Sequence, residues 1–84
     1  MKHQSHPQIL KRLKRTEGHL RSVIAMLEEH RSCLDLAQQL HAVEKAVSSA
    51  KRVLIHDHLE HCLEGPGTDT KLALREMKQL AKYL

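Results

Sequence analysis

The chain has 84 residues, enough for one small domain with a modest core of its own, so association with further copies is an expected source of stability. Only 40% of the residues are apolar and Tyr83 is the one aromatic, which leaves Leu, Val, Ile, Ala and Met to form a core and favours helix-on-helix packing over a β-sandwich. The formal net charge is +4, no run of about 18 apolar residues occurs, and Met1-Lys2-His3-Gln4 leads into no signal-peptide hydrophobic region; the chain is expected in the cytoplasm, without a membrane partner.

The first predicted helix covers about residues 5–30. Ser5-His6-Pro7-Gln8 fits a capping box, with Ser5 at the N-cap, Gln8 at N3 and a proline tolerated in the first turn. Ile9, Leu13, Leu20, Ile24 and Leu27 recur at helical spacing, supplemented by Leu10 and Val23, and are expected to form one apolar stripe. Gly18 weakens the middle of this helix and is expected to permit close packing of a neighbour. Positive charge is concentrated at the start of the chain: up to residue 21 there are Lys2, Lys11, Arg12, Lys14, Arg15 and Arg21 against a single acid, Glu17.

His30-Arg31 forms a short turn, and Ser32-x-x-Asp35 reads as a second capping box that opens a long helix over about 33–63. A connection that short makes the first two helices an antiparallel hairpin. In the long helix Leu36, Leu40, Val43, Val47, Ala50 and Leu54 alternate at steps of four and three, the spacing of a narrow apolar seam that needs a partner helix. Gly65-Pro66-Gly67 breaks the helix, and Thr68 or Asp69 can cap a third one over about 69–83, with Ala73, Met77, Leu80 and Leu84 on one face. No internal repeat or low-complexity tract divides the chain, so residues 1–84 are read as a single all-α domain built on a three-helix protomer.

Soft metal ligands stand at both ends of the long helix. His58 and Cys62 are four apart, one turn along the same face, and can grip one ion together. Cys33 lies 25 positions before His58, roughly 37 Å away along a helix, so one copy cannot join all three. Two copies packed antiparallel can, if Cys33 of one faces the His58–Cys62 turn of the other. The helices then cross beside Ala46 and Val47, where Ser48, Ser49 and Ala50 also keep the side chains small, and two-fold symmetry gives two equivalent Cys-His-Cys sites per dimer. Two cysteines without a secretion signal suit metal or redox chemistry better than a structural disulfide, and their separation along one helix forbids an intrachain bridge.

This pattern, a cysteine, 24 residues and then His-x-x-x-Cys on the second of three helices, resembles the CsoR/RcnR family of small all-helical metal-responsive repressors. The likeness covers nearly the whole chain, including KRLKRTEGHLRSVIAMLE and AQQLHAVEKAV. It implies that Cys33 of one protomer joins His58 and Cys62 of its neighbour, in an antiparallel four-helix-bundle dimer that pairs into a flat homotetramer. It implies further that the metal-free form binds operator DNA and that metal releases it. Two thiolates and one imidazole suit trigonal Cu(I), the expected effector; Ni(II) or Co(II), or tetrahedral Zn(II), would need a further donor. In nickel- and cobalt-responsive relatives an N-terminal histidine supplies it, which makes His3 and His6 candidates, with His61 a further one. Copper-responsive relatives carry a tyrosine and a glutamate beside the ligands; here Ser32 precedes Cys33, and Lys78 stands near the expected glutamate, with Glu76 the closest acid.

Lys11, Arg12, Lys14 and Arg15 cluster within little more than one turn, and Lys45, Lys51 and Arg52 add charge to the middle of the long helix. Such a run is either a solvated helix face or a phosphate-binding surface. The resemblance selects DNA, contacted through basic residues of the first two helices without a recognition helix; Arg12 and Arg15 fall at positions functional in the family. A rival reading makes the chain a thiol or persulfide sensor through Cys33 and Cys62, although bridging sulfur needs no imidazole. No paired carboxylates, nucleophile triad or phosphate loop points to an enzyme or a small-molecule substrate.

Overall fold

The computed structural model describes residues 5–64 and 70–84, with the backbone alone at 62–64. It contains three helices, α1 His6–Glu28, α2 Cys33–Glu64 and α3 Thr70–Ala81, and no strand among the described residues. The molecule is a slab of 56 × 23 × 13 Å, only slightly thicker than a single helix. None of the described helices is long and apolar enough to cross a membrane.

Pro7 occupies the first turn of α1, as its fixed φ favours. Ser5 stands at the N-cap but forms no side-chain cap, so the expected Ser5–Gln8 capping box is not made. Its backbone is already helical (φ −80°, ψ −17°), whereas capping needs an extended residue that aims its oxygen at the N3 amide. The hydroxyl donates instead to Asp57 Oδ2 at 2.5 Å, across the hairpin. At its other end α1 stops at Glu28, two residues before the expected boundary, because His30 adopts a left-handed conformation (φ 60°). The His30 amide bonds to the Leu27 carbonyl at 3.1 Å and the Arg31 amide to the Met26 carbonyl at 3.1 Å, a Schellman ending with histidine in the place usually held by glycine. α2 then opens with half of its expected box, Asp35 N–H donating to Ser32 Oγ at 3.1 Å.

Two polar contacts span the hairpin, Ser5–Asp57 near one end and His19 Nε2 with Gln39 Oε1 (2.6 Å) toward the other. Along this seam α1 contributes Ser5, Ile9, Thr16, His19, Val23 and Met26, and α2 contributes Leu36, Gln39, Val43, Ala46, Ala50, Val53 and Asp57, all buried or half-buried. Only part of each expected apolar stripe is therefore covered by the hairpin. Leu13, Leu20, Ile24 and Leu27 on α1 remain 42% to 62% exposed, and Leu40, Val47 and Leu54 on α2 remain 40% to 49% exposed. The reason is angular: Leu13, Leu20 and Leu27 each follow a seam residue (Ile9, Thr16, Val23) by four, as Leu40, Val47 and Leu54 follow Leu36, Val43 and Ala50. Four residues carry a side chain roughly 40° past the seam. In an antiparallel pair equal offsets lie on the same side, so the two lines merge into one apolar flank.

α3 rests on the C-terminal part of α2, where Ile55 and Ala73 are buried. Ala73, Met77 and Leu80 lie on its inner face as expected; Leu84 is 57% exposed, in the turn that ends the helix. Gly18 has open space around its Cβ direction, so in the protomer it serves no close approach. The expected breaker at Gly65–Gly67 and the caps at Thr68 or Asp69 lie outside the described residues.

Candidate metal centre

Cys33 is the first residue of α2 and is exposed. It precedes Leu40 by seven, so it continues the uncovered line Leu40–Val47–Leu54 toward the start of the helix, and His61 continues it toward the end. The donor thus lies on the flank that the hairpin leaves open. Within one protomer Cys33 and His58 stay at opposite ends of α2, and among the described residues no three His, Cys, Asp or Glu side chains converge closely enough to hold an ion.

His58 is half-buried, one turn beyond Leu54, and its Nε2 lies 2.9 Å from Glu76 Oε2 on α3. A carboxylate only accepts, so the bond makes Nε2 the protonated nitrogen and leaves the lone pair on Nδ1, the atom through which such an imidazole binds a metal. The contact also fixes the plane of the ring. Counting along the sequence drew attention to Lys78, but Glu76 is the acid that reaches the histidine. Its place on the inner face of α3, with Ala73, Met77 and Leu80, is the periodic signal that could have shown it.

His61 is half-buried, and its Nδ1 lies 2.7 Å from the Asp57 carbonyl oxygen and 3.1 Å from Asp57 Oδ1. Asp57 is a functional candidate that the sequence reading missed, a carboxylate seven residues after the core position Ala50. Cys62 belongs to the same helical turn as His58; its side chain lies outside the described residues, as does all of His3. His6, at the start of α1, lines one groove of about 660 Å³ with Leu54, His58, Glu76 and Tyr83, without converging on His58 and Glu76 closely enough to hold an ion with them. By residue type the candidate donors, a thiol at a helix start, an oriented imidazole and a cysteine one turn on, suit a soft or borderline metal ion.

The basic residues among those described are all exposed. Helical periodicity turns Lys11 and Arg15 on α1, and Lys45 and Arg52 on α2, away from the apolar flank to the other side of the hairpin. Arg12 lies at the edge of the seam and Lys14 points outward, while Lys51, one turn after Val47, falls on the apolar side.

The chain matches the family described as metal-sensitive transcriptional repressor over residues 5–84. It is 42% identical over 69 residues to the copper-sensing transcriptional repressor RicR of Mycobacterium tuberculosis, covering 75% of this chain and 72% of that one. It is 38% identical over 76 residues to the copper-sensing transcriptional repressor CsoR of Mycobacterium ulcerans (88% and 65%), and 41% identical over 56 residues to the CsoR of Bacillus subtilis (67% and 55%). The chain thus spans less than two thirds of the length of these two CsoR relatives. Among solved structures it superposes on the nickel-responsive transcriptional regulator InrS with a TM-score of 0.84 and 29% identity, covering 100% of this chain and 98% of the other.

Proposed function

The chain belongs to the metal-sensitive transcriptional repressor family, and from that premise we propose that its metal-free form binds operator DNA in the cytoplasm and that Cu(I), held by Cys33 of one protomer with His58 and Cys62 of another, releases it. The observation that carries this reading is the uncovered line on α2. A two-fold axis at Val47 sets Leu40 against the partner's Leu54, and it sets Cys33 against position 61, between the partner's His58 and Cys62. The centre of the exposed stripe, Val47, thus falls beside the crossing at Ala46 and Val47 that the ligand spacing requires. Two such slabs joined by their apolar flanks form an antiparallel four-helix bundle, and pairing of these dimers gives a homotetramer.

The opposite flank carries the DNA contact. Lys11, Arg15, Lys45 and Arg52 present positive charge from both helices, with Arg12 and Lys14 beside them, and this charge has no carboxylate partner among the described ion pairs. Lys51 contributes only long-range attraction. Metal and DNA then weaken each other by the same factor, as linkage requires, because they favour different arrangements of the hairpins.

Copper is preferred because two thiolates with one imidazole suit Cu(I) and because the RicR and CsoR relatives are named as copper-sensing. A second reading has one specific observation in its favour: His6 shares the groove of His58 and Glu76, which supports a fourth donor and a Ni(II) or Co(II) response, and the InrS neighbour is named as nickel-responsive. His3 and His61 are lesser candidates for that position, and Zn(II) would use the same four donors. The test is an anisotropy titration against the chain's own upstream DNA with Cu(I), Ni(II), Co(II), Zn(II) and a polysulfide donor in separate arms. Release by Cu(I) is expected. Release by polysulfide alone would replace the metal reading by a thiol sensor using Cys33 and Cys62. Cys33→Ala should keep metal-free DNA affinity and lose metal-induced release.

A further inference from the structure

The contact that joins the start of α1 to the last turns of α2 is polar, and holding a metal ion does not require it. Asp57 directly precedes His58, and its side chain is only 10% exposed. One carboxylate oxygen accepts the Ser5 hydroxyl at 2.5 Å, and the other lies 3.1 Å from His61 Nδ1. The same residue therefore grips the first residue before α1 and the turn of α2 that contains His58, His61 and Cys62.

Two features make this grip directional. Ser5 gives up its side-chain cap to make it: its carbonyl accepts from Ile9 N–H at 2.9 Å in the first turn of α1, while its hydroxyl ties that turn to Asp57. Apolar seam residues such as Ile9 and Ala50 resist separation but slide with little preference, whereas a hydrogen bond to a nearly buried carboxylate is short and angle-dependent. α1 is one unbroken helix from His6 to Glu28, so a shift at Ser5 is carried as a rigid body to Lys11, Arg12 and Arg15 within about three turns.

We infer that Asp57 is a positioning residue, coupling metal occupancy of the His58–Cys62 turn to the placement of the basic face of α1 through its bond to Ser5. Drawing that turn toward the partner's Cys33 moves Asp57 with it, and Ser5 either follows or loses its acceptor. This inference rests on the repressor reading above and adds to it the route by which one end of the hairpin addresses the other.

The test is a double-mutant cycle read as the ratio of DNA affinities without and with Cu(I), at fixed salt, for wild type, Ser5→Ala, Asp57→Ala and the double variant, with Ser5→Thr as the conservative replacement. Ser5 neither binds metal nor belongs to the basic face, so Ser5→Ala should leave metal-free DNA affinity and Cu(I) stoichiometry unchanged. It should lower the metal-induced weakening by roughly three- to thirtyfold. The double variant should be no worse than the more affected single one, and Ser5→Thr should restore the ratio. A wild-type ratio in Ser5→Ala, or additive effects of the two substitutions, overturns the inference while leaving the repressor reading intact. A wild-type chain whose DNA binding ignores every metal overturns both.

Discussion

Val47→Asp tests the proposed assembly at its centre. Val47 is 47% exposed in the protomer, and burying a valine completely is worth ~1.5–3 kcal/mol, so covering the remaining half contributes about 1 kcal/mol per copy. The two-fold axis doubles that to about 2 kcal/mol and places the two copies of residue 47 beside each other. Val47→Asp removes this contribution and sets two carboxylates in an apolar seam, at a further cost of roughly 2–3 kcal/mol. Together these raise the dimer dissociation constant by about three orders of magnitude. If water covers this helix face in the working form, the same substitution changes stability by only about 0.5 kcal/mol. Sedimentation equilibrium across a micromolar dilution series separates the outcomes, with far-ultraviolet circular dichroism to verify that the helices persist. A helical Val47→Asp variant that assembles as the wild type does would refute the two-fold axis and, with it, the shared metal site.

Three further substitutions test separate parts of the molecule. His30→Gly should stabilise the fold by about 0.5–1 kcal/mol, since a left-handed conformation strains any side chain but not glycine; the urea midpoint should rise with unchanged slope at constant protein concentration. Glu76→Gln should weaken Cu(I) binding by roughly 10- to 100-fold in competition with a chromophoric chelator, because His58 loses the carboxylate that orients it, while metal-free DNA affinity stays the same. Arg15→Ala should weaken binding about equally at all DNA sequences and lower the slope of log affinity against log salt by about one, as expected for one lost phosphate contact.

The three helices and their order were legible because periodicity and punctuation are local signals, such as Pro7 in a first turn and Ser32 before Asp35. The division of the apolar residues between two interfaces was not. Spacing shows that Leu36, Leu40, Val43 and Val47 all need cover, but Leu36 and Val43 face α1 while Leu40 and Val47 do not. What obscures the division is polar: Thr16, His19, Gln39 and Asp57 sit in the intramolecular seam, where a hydrophobicity pattern has no reason to place them. Ser5 shows the same limit, since a capping motif describes what a hydroxyl can do locally and Asp57 offers a stronger acceptor from 52 residues away. The candidate ligands were visible as residue types at a particular spacing. Glu76 was named only as the acid closest to an expected glutamate; its contact with His58 was not legible, because it depends on how α3 folds back onto α2.

The two flanks of the hairpin constrain how a metal ion can act on DNA at all. Cys33 shares a line with Leu40, Val47 and Leu54, so the candidate donor lies on the side proposed for assembly, whereas Lys11, Arg15, Lys45 and Arg52 turn to the other. An ion bound on the first side does not compete with phosphate for the second, and a charge of +1 or +2 shielded by thiolates does little across the thickness of the slab, 13 Å at its thinnest, in solution of physiological ionic strength, where the screening length is about 8 Å. Direct electrostatics is thus the weaker route. What remains, in the proposed assembly, is mechanical: metal bound at the ends of α2 would change how two hairpins cross at Val47, and the basic faces they carry would change their relative spacing with it. A site at the crossing itself would have little leverage. Sites at the ends of α2, roughly 17–23 Å from Val47 at about 1.5 Å per residue, would convert a small angular change into displacements comparable to the spacing of phosphates.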